Sequence, residues 1–340
     1  NESHNFDLLS QMSFFNGLED DEVKSLVTIE KGKLNYTLAA LQFAKIANGV
    51  SKMHGEVSRQ MWSGYSDICE ITHVTNSQNK DYWKDDQLES AFETNDNQML
   101  LNRKKQLKRD LFKIVADQTG KLFDENILTI VWARRFAGYK RADLIMRDMK
   151  RFEALVADQK MPVQIIWAGK PYPLDNGAIQ TFNKIFKDTL NMPNVAILTG
   201  YELALSAALK RGSDIWLNNP RLYREASGTS GMTAAMNGSV NLSIPDGWIP
   251  EFAIHGHNTF LIEPADRNLT TDKQDDIESS RIFEVLQNEI LPIYYQKPEK
   301  WLEIVKNSMR EIVPAFSSDN MAQEYYEQLF NLEVENLTSV

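Results

Sequence analysis

Between about residues 126 and 265, short apolar runs rich in β-branched and aromatic residues alternate with helical patterns, and few architectures accept that alternation. The runs are Ile127 to Trp132, Val163 to Trp167, Val195 to Leu198, Asp214 to Leu217, Val240 to Ile244 and Thr259 to Ile262. Residues 142–159, 178–190 and 201–210 separate most of them with apolar side chains at three- and four-residue steps. Strands joined by crossover helices pair in parallel, and a parallel sheet needs helices on both faces to keep it from water. The fold class is therefore α/β. Ligands of such sheets bind where the strands end, so chemistry is expected just after each run.

The flanks read differently. Residues 1 to about 120 are expected to be helices and connections, with no run of strands that could form a sheet. Residues 98–118 predict an exposed amphipathic helix of mixed charge. From about 277 the chain is expected to be helical again. Pro298 opens one helix, Pro314 interrupts, and Ser317-Ser318-Asp319 caps a last helix through Phe330.

With 340 residues, 42% of them apolar, the chain can hold one large domain or two smaller ones. A net charge of −10 argues against sequence-independent nucleic-acid binding, which needs a basic face. The lone Cys69 excludes a disulfide framework and a cysteine-based zinc site, and fits a reducing cytoplasm. No apolar run reaches the roughly 18 to 20 residues of a membrane span. The polar opening Asn1-Glu2-Ser3-His4-Asn5 lacks a methionine and any signal-peptide shape, so the chain is expected to begin inside a longer protein.

Three strand ends carry candidate chemistry. After the first run, Arg134, Arg135, Lys140 and Arg141 put four cations within eight residues. Arg135 and Lys140 can converge on one anion, the guanidinium as a fork and the ammonium as a point charge. A solvated basic loop is the plain alternative. After the second run, Trp167-Ala-Gly169-Lys170-Pro171 reads as a structural turn. After the fourth comes Arg224-Glu225-Ala-Ser227-Gly228-Thr229-Ser-Gly231-Met232. Its glycines permit close backbone approach and lead into a helix start, whose bare N–H groups suit phosphate. Glu225 suits sugar hydroxyls. A Gly/Ser linker is the alternative there. In the helical first part, Ala47 to Arg59 presents a small polar face with His54 and Glu56, where a structural histidine is the simpler reading. His255 and His257 lie two apart without a carboxylate pattern, and no Ser-His-Asp context with a nucleophile elbow occurs.

Taken together, Asn48-Gly-Val-Ser-Lys-Met-His54, Trp132 to Arg141, Trp167 to Pro171, Leu217 to Asn237 and Asp246-Gly247-Trp248 resemble the α-glucan (glycogen or maltodextrin) phosphorylases, especially the short bacterial type. Trp301, Phe316 to Asp319 and Tyr325 resemble the helices that cross back in such glycosyltransferases. The resemblance implies a GT-B architecture of two Rossmann-like domains facing a cleft. Residues 1–120 would be the helical remainder of the first domain, 121–295 the complete second domain, and 296–340 helices packing back across them. The implied reaction is reversible phosphorolysis of an α-1,4-glucan to α-glucose-1-phosphate, with inorganic phosphate as co-substrate and pyridoxal 5′-phosphate as cofactor. Arg135 and Lys140 would hold the substrate and cofactor phosphates. Glu225, Ser227 and Gly228, with Asn48 and His54, would bind the sugar, and Gly228 and Thr229 would present backbone amides to phosphate. The family is compatible with a homodimer and implies no nucleic acid or membrane partner.

Two departures accompany the resemblance. The family sets its Schiff-base lysine directly after the Glu225–Met232 element, where this chain has Thr233. A threonine hydroxyl makes no imine. The family's Thr-Asn-Gly segment reads Thr75-Asn-Ser-Gln-Asn79. Three readings follow: a phosphorylase with noncovalent cofactor, a nucleotide-sugar glucosyltransferase resembling glycogen synthase, or a noncatalytic glucan-binding homologue. In each, this length of chain is expected to be inactive alone.

Overall fold

All six expected strands form in the computed structural model, which describes residues 2–330. They are β1 (Leu128–Ala133), β2 (Val163–Ala168), β3 (Val195–Leu198), β4 (Ile215–Asn218), β5 (Val240–Ser243) and β6 (Thr259–Leu261). Every pairing among them is parallel, in the order β6-β5-β4-β1-β2-β3. That is the doubly wound Rossmann order, running outward from β1 to one edge and from β4 to the other. The fold is a mixed α/β, Rossmann-like parallel sheet, as the alternation of runs and helices required, and it is consistent with the GT-B architecture that the resemblance implied.

The strands are buried on both faces, and their side chains alternate between two cores. Ile130, Trp132, Ile165, Trp167, Ile215 and Leu217 enter one. Val131, Ala133, Ile166, Ala168 and Trp216 enter the other. The second core is completed by α1 (Asn97–Thr119) through Leu111, Phe112 and Val115, and by Leu205 and Leu209 of a later helix, Leu203–Gly212. The first core takes Phe152 from α2 (Met149–Ala157), Ile185 from α3 (Asn176–Thr189), and the helices near the end of the chain. We call Leu203–Gly212 α4, Ser230–Ala235 α5, Thr271–Val285 α6 and Pro298–Ala315 α7.

By compactness the chain parts into two units: the first 75 residues with the chain from Glu324, and Asn76–Gln323. Residues 76–120 thus cluster with the sheet, because α1 carries an apolar stripe that covers it. The exposed helix expected over 98–118 is corrected accordingly: Leu100, Leu107, Lys108, Leu111, Phe112 and Val115 are buried. The smaller unit also corrects the expectation of no early sheet. Ser3–Asn5, Ile29–Glu30 and Lys33–Asn35 form three antiparallel strands, and Ile46–Gly49 pairs in parallel with Glu70–His73. Strands of two to four residues are too short to establish a period. Pro314 does not interrupt: it lies in the last turn of α7, where Phe316 N still donates to Ile312 O at 3.0 Å. Residues 331–340, part of the expected C-terminal helices, lie outside the described residues. Among the described residues no helix is long and apolar enough to cross a membrane.

Candidate active site

The strand order reverses between β1 and β4, so the loops that leave their ends diverge and open a crevice. Arg134, the first residue past β1, spans that point. Its guanidinium is buried and donates to Leu217 O at 2.8 Å and to the Asn218 side chain, both on β4. Burial pulls its pKa below the ordinary guanidinium range, against the pull of Glu225. The backbone continues the β1–β2 ladder, with Arg134 N on Ala168 O at 3.1 Å and Phe136 N on Lys170 O at 3.2 Å. Gly169 makes this approach possible: a Cβ there would lie 2.0 Å from Arg134 O, and its φ is +144°. The turn reading of Trp167 to Pro171 thus acquires a purpose, which is to seat the basic loop.

That loop ends in a 3₁₀ turn, Gly138–Lys140, which directs Lys140 at the other loop. Lys140 Nζ donates to Glu225 Oε2 at 2.9 Å across 85 residues of sequence, and both side chains are nearly buried. Burial and the Arg134 charge push the Lys140 ammonium down from the usual lysine range, while Glu225 pulls it up. Arg135 is exposed beside them, hydrogen-bonded to Tyr139. Arg141 turns away. It donates to Asn219 O and Pro220 O and pairs with Asp275 of α6 at 2.8 Å, so it anchors the loop.

The Glu225 turn is held from behind by the Asp246-Gly247-Trp248 segment that follows β5. Asp246 Oδ2 accepts from Arg224 N and Glu225 N at 3.0 Å each, and Oδ1 from Gly247 N at 2.9 Å. Burial raises the Asp246 pKa despite those three donors. Trp248 donates its backbone N–H to Ser227 O (3.3 Å) and its indole N–H to Gly228 O (3.1 Å). A Cβ on Gly247, at φ +62°, would stand 2.2 Å from Ser227 O. Gly228 is left-handed at φ +82° and brings the chain round to Thr229, which begins α5 without a side-chain cap. Ser227 Oγ and Arg134 Nε are buried with no hydrogen-bond partner among the described residues. Spare donors beside two cations suit an oxyanion.

Thr233 lies on α5, fully buried, and its hydroxyl donates to Ser230 O at 3.0 Å. The position is filled and internally satisfied. Asn48 and His54 belong to the smaller unit. Asn48 Nδ2 reaches Gly49 O and Tyr325 Oη at 3.2 Å each. His54 Nδ1 accepts from Val50 N at 3.1 Å, and burial lowers its pKa, both of which favour a neutral ring. Among the described residues no cluster could hold a metal ion. The sequence reading missed Arg134 as a site residue and treated Asp246 only as part of a motif. The alternation that buries Trp132 continues to Arg134, and that was the signal for the first.

The family model of the carbohydrate phosphorylases matches residues 36–255, which takes in both loops and the helix after them. The chain belongs to the carbohydrate phosphorylase family. An uncharacterised protein of Methanocaldococcus jannaschii is 44% identical, covering 97% of this chain and 61% of that protein. A maltodextrin phosphorylase of Thermococcus litoralis is 30% identical over 95% of this chain and 44% of its own length. A glycogen phosphorylase of Aquifex aeolicus is 32% identical, over 87% and 49% respectively. This phosphorylase-family chain therefore spans less than two thirds of each of these relatives.

Proposed function

We propose that the protein catalyses reversible phosphorolysis of an α-1,4-glucan, releasing α-glucose-1-phosphate, with this chain supplying the phosphate-binding half of the cleft. The single observation that carries the reading is the 2.9 Å Lys140–Glu225 pair, which joins a cation loop and a sugar-binding turn at the switch point of the sheet. In the reaction a phosphate oxygen bonds to the anomeric carbon of the terminal glucose. The bond from that carbon to O4 of the next residue breaks, and the phosphate proton passes to the departing O4. The transition state resembles an oxocarbenium ion between anions, so preorganised charge lowers its energy more than a protein nucleophile would. Arg135 and Lys140 hold the attacking phosphate. Glu225 accepts from glucose hydroxyls, with Ser227 and Gly228 beside it.

The anion-binding end fits pyridoxal 5′-phosphate: Arg134, Lys140, the free Ser227 hydroxyl and the Gly228–Thr229 backbone suit its phosphate. When bound, that cofactor supplies a second phosphate as an electrostatic and proton-holding partner. Thr233 supplies no amine. That observation favours, as a second reading, a nucleotide-sugar glucosyltransferase, in which the same cations hold a diphosphate.

The test uses the intact protein with maltodextrin and phosphate, assayed for glucose-1-phosphate with and without added pyridoxal phosphate. Product in the presence of the cofactor supports the proposal. Absence of product in both arms overturns it, and glucose incorporation from a nucleotide sugar supports the second reading. The proposal also carries a cytoplasmic location and a homodimer, the latter read out by sedimentation.

A further inference from the structure

Each glucose of a glucan offers two kinds of surface, a rim of hydroxyls and flatter faces of C–H groups. Charged and amide groups serve the rim. A face is served by an aromatic ring, which supplies rigid apolar area at little cost in conformational entropy. Glu225, Ser227 and Gly228 suit the rim, and none of them can serve a face.

Tyr223 stands two residues before Glu225, in a backbone conformation that its side chain resists. Its φ is +65°, in the left-handed region. Among the described residues the other non-glycine positions of positive φ hold Ser13, Asn16, Lys31, Asn95 and Arg141, so Tyr223 is the one aromatic. It fills the third position of a tight turn, Arg221–Arg224, closed by Arg224 N on Arg221 O at 3.0 Å. Glycine or asparagine ordinarily takes such a position. A tyrosine there carries strain, which persists only where the surroundings over-determine the backbone. Those surroundings are present. Arg221 N donates to Tyr139 O at 2.7 Å, so the turn leans on the segment that aims Lys140 at Glu225. Arg221 Nη2 donates to Asp275 of α6 at 3.0 Å, and on the other side Arg224 N and Glu225 N share Asp246 Oδ2. The turn is fixed at both ends, yet Tyr223 remains 36% exposed. Core packing therefore does not offset the strain. The ring's partner is Arg267, from the loop after β6, whose guanidinium carbon lies 4.5 Å from the ring centroid. A cation there covers one face of the ring and sets donors beside it.

We infer that Tyr223 is an aromatic platform on which a glucose unit of the glucan, adjoining the one held by Glu225, lays its C–H face, with Arg267 donating to its hydroxyls. The inference rests on the glucan reading above. Two residues of chain span at most about 7 Å, the scale of one sugar step. The face of an aromatic ring carries negative potential and gives an anion nothing, so phosphate is expected to ignore Tyr223.

The experiment removes the ring without adding strain. Tyr223→Gly and Tyr223→Asn both accept the left-handed backbone, and Tyr223→Phe keeps the ring. The intact proteins are compared by affinity electrophoresis in maltodextrin gels, and by KM for maltodextrin and for phosphate in glucose-1-phosphate formation. Both ringless variants should bind maltodextrin about tenfold more weakly and raise its KM to match, while the KM for phosphate stays within about twofold. Their thermal midpoints should not fall, and Tyr223→Phe should behave as the parent. Unchanged maltodextrin binding in the ringless variants overturns the inference and leaves the glucan reading standing. So does a rise in both KM values with a lower thermal midpoint, the mark of a ring that only braces the turn. Loss of nucleotide-sugar binding with maltodextrin binding intact also overturns it, in favour of a stacked base. A parent that neither binds maltodextrin nor forms glucose-1-phosphate overturns both readings. Where the parent binds maltodextrin without turnover, the gels alone decide.

Discussion

The two ends of the sheet bury cations in opposite ways. Where the strands begin, Lys108 reaches from α1 and gives its ammonium to Asp214 at 2.5 Å and Ile127 O at 2.7 Å. Asp214 in turn accepts from Thr129 N at 2.8 Å, so donors and acceptors are matched. Where the strands finish, Arg134, Lys140 and Glu225 come together, yet Arg134 Nε and Ser227 Oγ are left over. Both groups are well buried, so depth alone does not separate structure from function. The difference is the balance of partners. A closed network holds the fold, and donors left unspent beside Lys140 and the Glu225 turn are available to an anion.

The contrast can be broken at either end. The largest effect is expected from Asp214→Ala, which strands the Lys108 charge in the core and should cost about 3–5 kcal/mol by urea unfolding. A change under about 1 kcal/mol would mean the closed network is not structural. Next, Lys140→Met should lower glucose-1-phosphate formation by roughly 10²–10³-fold, in the range of a lost transition-state electrostatic contact. Its thermal midpoint should fall far less than that of Asp214→Ala. An unchanged rate would remove Lys140 from the site.

Smaller effects probe the scaffold. Gly247→Ala meets both a left-handed φ and the Ser227 carbonyl, so it should destabilise by more than about 1 kcal/mol and weaken sugar binding as the Glu225 turn shifts. Equal stability and KM would show that the turn does not lean on it. Arg135→Ala, at an exposed position, should change stability by less than about 0.5 kcal/mol while weakening phosphate or sulfate binding measured by calorimetry. Undiminished binding would assign the anion to other groups.

The last prediction concerns pH. The Lys210 pKa is lowered to about 7 in the folded chain and is ordinary, near 10.4, when unfolded. Between those values the unfolded chain binds more protons, so this residue's penalty is full below about pH 7 and fades as the pH rises. Lys210→Met should therefore gain most over the parent near neutrality and lose that advantage toward pH 10. A pH-independent difference would show that the amine titrates normally.

Much of this was legible in one dimension. Six strands and their parallel pairing follow from period and length, because a strand buried on both faces must be continuously apolar and a crossover needs a helix; the loops after β1 and β4 are where such a sheet is expected to bind a ligand. Asp246 and Arg134 were harder. Asp246 acts through three backbone donors, two of them more than 20 residues away, and no side-chain pattern encodes them. Arg134 reads as one more loop cation until the Asn218 side chain and Leu217 O are seen beside it. The short strands of the smaller unit carried too few residues for any period to emerge.

The sequence by itself determined the family, the kind of sheet and the absence of a lysine at position 233, because motif, period and residue identity are properties of the string. Only the tertiary structure decided which strands are neighbours, which cations meet a carboxylate and which stand alone. Those depend on through-space distance and on water being excluded. Lys210 marks the division: in the sequence it is an ordinary residue near the end of an amphipathic helix, and only packing strips it of solvent and sets it on Trp83 beside the helix that carries Thr233.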